Sequence, residues 1–207
     1  MKAFLFSDLH ANFRQLDNID KYLSTHKELE LIIFAGDVIN MGEPVGFVQK
    51  FIEVIKNTKI NFVWVPGNND FGRGYYKLDH EFKSLEGKVV NFGGRNFTGV
   101  GGSPASWSGQ YAGESMIDRK SIADSIFVSH VPPPGLHNYQ KNDCQSPIPK
   151  KKFSDSPIVH ICGHIHNQWG CTYLGTTKII KLAPADRGFY AILDLDTLAV
   201  EFKRFNN

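Results

Sequence analysis

Five short apolar segments of the chain each end in residues of the types that bind metal ions. The clusters are Asp8-Leu9-His10, Gly36-Asp37, Gly67-Asn68-Asn69-Asp70, His130 and Gly163-His164-Ile165-His166. In an α/β sheet, ligands bind at the carboxyl ends of the strands, so five strand exits can converge on one point. Asp, Asn and His side chains suit divalent first-row metals. The sequence therefore predicts a hydrolytic metal centre.

Taken singly, the clusters differ in how strongly they indicate a metal site. Asp8 and His10 lie two positions apart, which places both side chains on the same side of an extended chain, but chance matches to this pattern are common. The turn after Gly67 also reads as a purely structural one, because Asn and Gly tolerate positive φ. His164 and His166 flank one apolar residue after a buried strand, which makes a poor core sequence and a good chelate. The ordered set of five clusters favours a metal site more strongly than any single cluster does.

Strands and helices must position these clusters, and the first third of the chain alternates between the two. Apolar periodicity predicts strands over 3–7, 31–35 and 60–65, with helices over 12–26 and 44–57. This strand-helix-strand order indicates parallel pairing with right-handed crossovers. A short helix or an irregular segment is expected over 71–86.

The rest of the chain is rich in predicted strands and contains two long polar loops, over 101–117 and 131–156. Such loops inside a compact domain are more often functional than idle. The whole chain, residues 1–207, is predicted to form one domain with a four-layer α/β/β/α sandwich, in which helices flank two mixed β-sheets. The remaining strands are expected over 88–92, 96–100, 125–129, 157–162, 169–174, 177–182, 188–194 and 198–205.

Composition and charge limit the classes of function. A chain of 207 residues with 42% hydrophobic residues supports a sizeable core without disulfides. The net charge of +2 argues against a nucleic-acid partner, because binding the phosphate backbone depends on many Lys and Arg contacts. We expect no membrane partner, because no apolar run is long enough to span a bilayer. The oligomeric state, a homo-oligomer included, stays open.

Two features of the sequence bear on the cellular compartment of the protein. The apolar stretch at residues 3–6 meets Ser7-Asp8 almost at once, which is too short for the core of a signal peptide. The three cysteines, Cys144, Cys162 and Cys171, are odd in number and lack close paired spacing. That pattern fits a reducing cytoplasm better than a disulfide framework, so we expect a cytoplasmic protein.

Taken in chain order, the clusters resemble the motifs of the calcineurin-like metallophosphoesterase superfamily, which read D-x-H, G-D, G-N-H-[DE], H and G-H-x-H. The resemblance covers residues 3–166. It implies a centre of two divalent ions, for which the donor types fit Mn, Fe, Zn or Ni and do not choose among them. One ion would be held by Asp8, His10, Asp37 and His166, and the other by Asp37, Asn68, His130 and His164, with Asp37 as the bridge.

Such a centre implies hydrolysis of a phosphoester, with a small molecule as the substrate. Two ions about 3.5–4 Å apart could share a hydroxide that would attack phosphorus in line, and the ions would offset charge on the phosphoryl oxygens. Because coordination lowers the pKa of the water toward neutrality, no separate general base is required.

One position departs from the family pattern. Asn69 stands where the motif has a histidine that, in the family, is thought to protonate the leaving group or to stabilise the transition state. An amide donates a hydrogen bond but cannot deliver a proton, and general acid catalysis is typically worth roughly 10²–10⁴-fold. We therefore expect phosphodiesters or activated aryl esters to be preferred over alkyl monoesters. Catalytic roles are assigned to Asn69 and to Asp70, which would orient a histidine ligand.

Other interpretations stay open. The chain could be a non-catalytic metal-binding scaffold or interaction module of the same fold, or, with less support, a phosphomonoesterase or a nuclease. Asn12 either orients a ligand or contacts phosphate, or else it caps the first helix. Arg73 could reach a substrate phosphate, although most surface arginines do not. His160 alternates with apolar neighbours and is expected to be a core or interface histidine.

Overall fold

The structure, a computed structural model, describes residues 1–40, 45–70, 73–82, 84–102, 104–105, 110–111, 122–133, 147–148 and 156–206. The helices of this part of the chain are α1 (Phe13–Thr25), α2 (Val45–Thr58) and α3 (Arg73–Glu81). A short 3₁₀ helix, Ala185–Arg187, lies near the end. The strands are β1 (Lys2–Phe6), β2 (Leu29–Phe34), β3 (Asn61–Trp64), β4 (Val89–Phe92), β5 (Arg95–Val100), β6 (Pro104–Ala105), β7 (Gln110–Tyr111), β8 (Ile126–Ser129), β9 (Pro147–Ile148), β10 (Val159–Cys162), β11 (Gly170–Leu174), β12 (Thr177–Lys181), β13 (Phe189–Asp194) and β14 (Val200–Arg204).

Sheet A has five strands in the order β14-β13-β1-β2-β3. β1, β2 and β3 pair in parallel, with α1 and α2 between them in the chain, as the alternating pattern predicts. β13 runs antiparallel to β1, and β14 follows through a hairpin in which the Asp194 carboxylate accepts the backbone N–H groups of Asp196 and Thr197. The motif residues that follow β1, β2 and β3 therefore leave sheet A at the same edge.

Sheet B has seven strands in the order β4-β5-β8-β10-β12-β11-β9. β5, β8, β10 and β12 are parallel, so the residues after β8 and β10 also leave at one edge. β4 and β11 pair antiparallel to their neighbours β5 and β12. The predicted hairpin at Gly175-Thr176 joins β11 to β12, and Gly175 has a φ of 62°, which suits glycine.

Two apolar cores hold the layers together. In the first, Ala3 and Leu5 of β1 pack with Ile161 and other residues of sheet B. The alternate residues of β1, Phe4 and Phe6, belong to the second core, which sheet A forms with its helices. Because successive side chains of a strand point to opposite faces, a strand that is covered on both faces is apolar throughout. This explains why the strands that carry the motifs read as continuous apolar runs.

The predicted class, a mixed α/β fold with two mixed sheets, is confirmed. The strands β6, β7 and β9 lie inside stretches predicted as loops, and at two residues each they are too short to show a periodic pattern. In the described ranges, no helix has the length and apolarity needed to cross a bilayer. Cys162 is a free, buried thiol, whereas Cys171 is disulfide-bonded, which the spacing of the cysteines did not predict.

His160 is a core residue of β10, as expected. Its side chain is 8% exposed, and its ring packs edge-on against Phe127 of β8. Burial lowers the pKa of His160 from 6.5 to about 3. The folded state therefore disfavours the proton that the unfolded chain takes up near pH 6.5, and the stability that is fully present above that pH is lost progressively toward pH 3.

We expect His160 alone to lower the free energy of unfolding by up to about 1.4 kcal/mol for each pH unit below 6.5. His160→Phe keeps an aromatic ring in place that does not titrate, so the loss of stability on acidification should be smaller in this variant. Urea unfolding of both proteins at pH 7.5 and pH 5 measures the difference. An identical pH dependence would mean that His160 does not stay neutral in the folded protein.

Candidate metal centre

The five motif segments form one cluster that joins the two sheets. Within sheet A, the Asp8 N–H donates to the carbonyl of Gly36 at 2.8 Å. Within sheet B, the Gly163 N–H donates to the carbonyl of His130 at 2.9 Å. The His164 N–H crosses from one sheet to the other and donates to the Asp8 carboxylate at 3.0 Å. The strand exits of both sheets therefore meet at one place.

Several residues of the cluster have left-handed backbone conformations. The φ angles are 56° at Asp8, 48° at His10, 61° at Asp37 and 71° at His164. Residues other than glycine adopt such angles at a cost of order 1–3 kcal/mol each, and they concentrate at functional sites. The surrounding hydrogen bonds must hold these conformations in place, and the side chains are thereby aimed into the cluster.

One group of potential metal ligands is formed by Asp8, His10 and His166. The Nε2 atom of His166 lies 3.2 Å from Asp8 Oδ1 and 3.1 Å from His10 Nε2. The ligand atoms of the three residues lie within 4.8 Å of one another. Two nitrogen ligands that are each about 2.1 Å from an ion lie about 3.0 Å apart at a right angle and about 3.4 Å apart at a tetrahedral angle, so this spacing fits a shared cation.

A second group of potential ligands is formed by Asp8, Asp37 and His130. His130 Nε2 lies 3.4 Å from Asp37 Oδ2, 3.0 Å from Asn68 Oδ1 and 3.2 Å from His164 Nδ1. Asp37 Oδ2 also lies 4.0 Å from His10 Nε2, so this carboxylate faces both groups. All seven side chains that the sequence predicts as ligands thus lie in one cluster.

The buried carboxylates of Asp8 and Asp37 create a demand for positive charge. Burial lowers the pKa of His130, but its hydrogen bond with Asp37 and the charge of Asp8 outweigh burial and raise that pKa to about 9. Burial also raises the pKa of Asp8, yet the hydrogen bond from His166 leaves that pKa below its usual value. A divalent cation would satisfy the same carboxylates without protons, so the charges and the donor types both fit a metal.

Asp70 fastens the loop after β2 to the loop after β3. Its carboxylate, 2% exposed, accepts the backbone N–H groups of Asp37 at 2.7 Å, Val38 at 2.8 Å, Ile39 at 3.3 Å and Gly67 at 2.8 Å. Burial raises its pKa to about 6. Asp70 makes no hydrogen bond with a histidine in the part of the chain that the structure describes. The predicted ligand that it positions is therefore Asp37 and not a histidine.

The other predicted site residues have defined places. Asn69 contacts Asp37 twice, since its Nδ2 donates to Oδ2 at 2.7 Å and its backbone N–H donates to Oδ1 at 2.8 Å. Asn12 is the N-cap of α1, with Oδ1 accepting from the Gln15 N–H and Nδ2 donating to the Asp186 carbonyl. The structure thus favours the capping role. Arg73 begins α3, but its side chain lies outside the described residues.

Three glycines shape the cluster, although their role was not predicted from the sequence. A Cβ atom at Gly67 would lie 2.0 Å from Asp37 Oδ1, and one at Gly163 would lie 2.5 Å from Asp8 Oδ2. A Cβ atom at Gly36 would lie 2.8 Å from His130 Nδ1. Each glycine directly precedes a predicted ligand, and this repetition is the signal that could have revealed them. Only a residue without a side chain leaves the carboxylates and the imidazole room to converge.

Gly67→Ala should displace Asp37, destabilise the protein by at least about 1–3 kcal/mol and weaken metal binding. Gly46→Ala is the matched control, because a Cβ atom there would meet no atom within 4 Å. In α2 that change should stabilise the protein by up to about 1 kcal/mol. Urea unfolding and calorimetric titration with Mn²⁺ measure both effects. Wild-type stability and binding in Gly67→Ala would contradict the close approach to Asp37.

Comparison with known proteins agrees with the observed fold. The chain is 23% identical over 193 residues to the uncharacterized protein MJ1162 of Methanocaldococcus jannaschii, covering 86% of each chain. One crystal structure matches with a TM-score of 0.75 at 17% identity, over 99% of both chains. The crystal structure of TT1561 of Thermus thermophilus matches with a TM-score of 0.68 at 14% identity, over 98% of both chains. At these identities the solved structures support the fold alone.

The match to a protein family shows more than these individual likenesses. The family model for calcineurin-like phosphoesterases matches residues 1–168, a range that contains all five motif clusters. Because that match spans most of the chain and every predicted ligand, the chain belongs to the calcineurin-like phosphoesterase family.

Proposed function

We propose that this chain is a phosphoester hydrolase that uses two divalent metal ions and acts preferentially on phosphodiesters. Membership of a family of phosphoesterases supports the reaction class. The observation that carries the proposal is the convergence of five strand exits on one partly buried cluster, in which Asp8 and Asp37 each lie among imidazole nitrogens. We propose a small phosphoester molecule as the substrate, because the net charge of +2 is too low to indicate nucleic acid.

The proposed ligands follow from the two groups of the cluster. Asp37 is proposed as the bridge because its Oδ2 faces both His10 and His130. Asp8 belongs to both groups as well, so a second carboxylate adjoins both positions. Mn, Fe, Zn and Ni all suit this donor set. One ion would be held by Asp8, His10, Asp37 and His166, and the other by Asp37, Asn68, His130 and His164.

When bound, two such ions would supply a hydroxide nucleophile near neutral pH and offset charge on the phosphoryl oxygens. The protein itself holds the ligand side chains in position. His130 Nδ1 lies 2.7 Å from the carbonyl of Ala35 and must carry the hydrogen of that bond, because a carbonyl has none. With an ion bound, His130 would lose its Nε2 proton, and the Nε2 lone pair would then face the cluster. Asp70 accepts the backbone N–H of Asp37, and the missing side chain at Gly67 leaves room for the Asp37 carboxylate.

Asn69 supports the preference for diesters with good leaving groups. Its amide donates to Asp37 Oδ2 and has no proton to give to a leaving oxygen. An aryl oxide departs as a stable anion and needs no such proton, whereas an alkoxide needs one. We infer that Asn69 steadies the bridging carboxylate and that substrates with poor leaving groups react slowly.

Three further properties belong to the proposal. We propose one domain over residues 1–207, which is supported by sheet A, since β1 and β14 come from the two ends of the chain and lie in one sheet. We also keep the cytoplasmic location as a proposal, although the disulfide at Cys171 counts against it. The alternative function is a metal-binding scaffold that does not catalyse a reaction. The following assay distinguishes such a scaffold from an enzyme.

Protein stripped of metal with a chelator should regain hydrolysis when Mn²⁺, Ni²⁺, Zn²⁺ or Mg²⁺ is added in turn. We expect bis-p-nitrophenyl phosphate to be hydrolysed with a higher kcat/KM than p-nitrophenyl phosphate. A preference for the monoester would keep the hydrolase and contradict the role given to Asn69. Absence of activity with every metal, in a protein shown to be folded, would favour the scaffold.

Asn69→His should raise kcat/KM on an alkyl phosphomonoester, by up to roughly 10²-fold, because an imidazole can protonate the leaving oxygen. Asn69→Ala is the matched control, since it also removes the amide contact with Asp37 but adds no proton donor. The measurement is the initial rate of phosphate release from both variants and from the wild type. Equal or lower kcat/KM in Asn69→His would show that proton delivery does not limit these substrates.

A further inference from the structure

A buried chain of hydrogen bonds lies directly beside His130. His160 Nε2 is 2.7 Å from Ser129 Oγ, and Ser129 Oγ is 2.6 Å from the carbonyl oxygen of Val131. The carbonyl has no hydrogen, so the single Ser129 hydroxyl hydrogen must point to Val131. Ser129 then accepts from His160, which fixes the order of donors as His160 to Ser129 to Val131. We call these three residues the relay.

His160 is suited to act as a fixed donor. Its ring is buried against Phe127 with centroids 4.9 Å apart, and burial lowers its pKa to about 3. The ring is therefore neutral at ordinary pH. Its one N–H lies on Nε2, because that atom makes the bond with Ser129. A neutral, packed imidazole keeps this hydrogen bond at any pH well above 3.

The relay lies where the pairing of β8 with β10 ends. The two strands pair in parallel up to Ile161 and Val128. Beyond that point β8 continues to His130, and β10 continues to His164. The relay and the bond from Gly163 N–H to the His130 carbonyl tie the two departing segments together. The imidazoles that these segments carry approach each other, with His130 Nε2 3.2 Å from His164 Nδ1.

We propose that His160 and Ser129 are positioning residues for the metal ion that His130 and His164 would share. This inference rests on the proposed function, because it presumes that metal site. By holding the carbonyl of Val131, the relay fixes the backbone that follows His130, so its Nε2 keeps the distance from His164 Nδ1 that one ion requires. The position beside Asp8 and His10 depends on the exit of β1, and the relay does not reach it.

Ser129→Ala removes the central hydroxyl, and Ser129→Thr retains one. Thr177→Val is the matched control, because the buried Thr177 hydroxyl also donates to a backbone carbonyl, that of Pro157 at 2.7 Å, at the opposite end of β10. Mn²⁺ binding to the chelator-stripped proteins is measured by calorimetry, and stability is measured by thermal unfolding.

We expect Ser129→Ala to weaken one of two Mn²⁺ sites about 10-fold and to leave the other within about 2-fold, which corresponds to about 1.4 kcal/mol at the affected site. Ser129→Thr should restore binding, and Thr177→Val should lose stability but keep both sites. Two intact sites in Ser129→Ala would overturn the positioning role alone. Equal weakening in Thr177→Val would overturn it too, because binding would then follow stability. A wild type that binds no Mn²⁺ would overturn the metal centre together with this role.

A second readout needs no metal. In ¹⁵N–¹H spectra of the metal-free protein, the His160 ring should carry its hydrogen on Nε2, and that signal should shift in Ser129→Ala but not in Thr177→Val. A hydrogen on Nδ1 instead would overturn the order of donors in the relay.

Discussion

The rest of the site depends on the burial of one carboxylate, that of Asp37. Its side chain is 2% exposed, and its backbone has a φ of 61°. A buried charge is costly unless it is paired and hydrogen-bonded. Asn69 donates to both of its oxygens, His130 lies against Oδ2, and Asp70 holds its backbone N–H. Asn69 and Asp70 follow β3 and His130 follows β8, so the contacts made by Asp37 bring the exits of β2, β3 and β8 together.

The fold makes that convergence possible. Parallel strands deliver their exits to one edge of each sheet, and the bond from the His164 N–H to Asp8 joins the two edges. The left-handed residues of the cluster are strained, and the two apolar cores supply the stability that offsets them. Glycines such as Gly36 and Gly67 remove the side chains that would keep the carboxylates apart. The geometry of the site is thus a consequence of packing as much as of its own polar contacts.

Much of this arrangement could be predicted from local sequence. The strands β1, β2 and β3 are apolar on both faces and end in polar motifs, so their existence, and the residues at their exits, followed from periodicity. The hydrogen-bond partners of the polar side chains could not be predicted in this way. Asp70 bonds to Asp37 across 33 positions, and His160 bonds to Ser129 across 31, and neither contact leaves a local signal. The two-residue strands β6, β7 and β9 were also not predicted, because two residues are too few to show a periodic pattern of apolar side chains.

The measurement that tests the central claim most directly is anomalous X-ray scattering from crystals grown with Mn²⁺. We expect two anomalous peaks on either side of the Asp37 carboxylate. One should adjoin Asp8, His10 and His166, and the other should adjoin Asn68, His130 and His164. A single peak, or peaks that do not contact Asp37, would contradict a two-metal centre bridged by this residue.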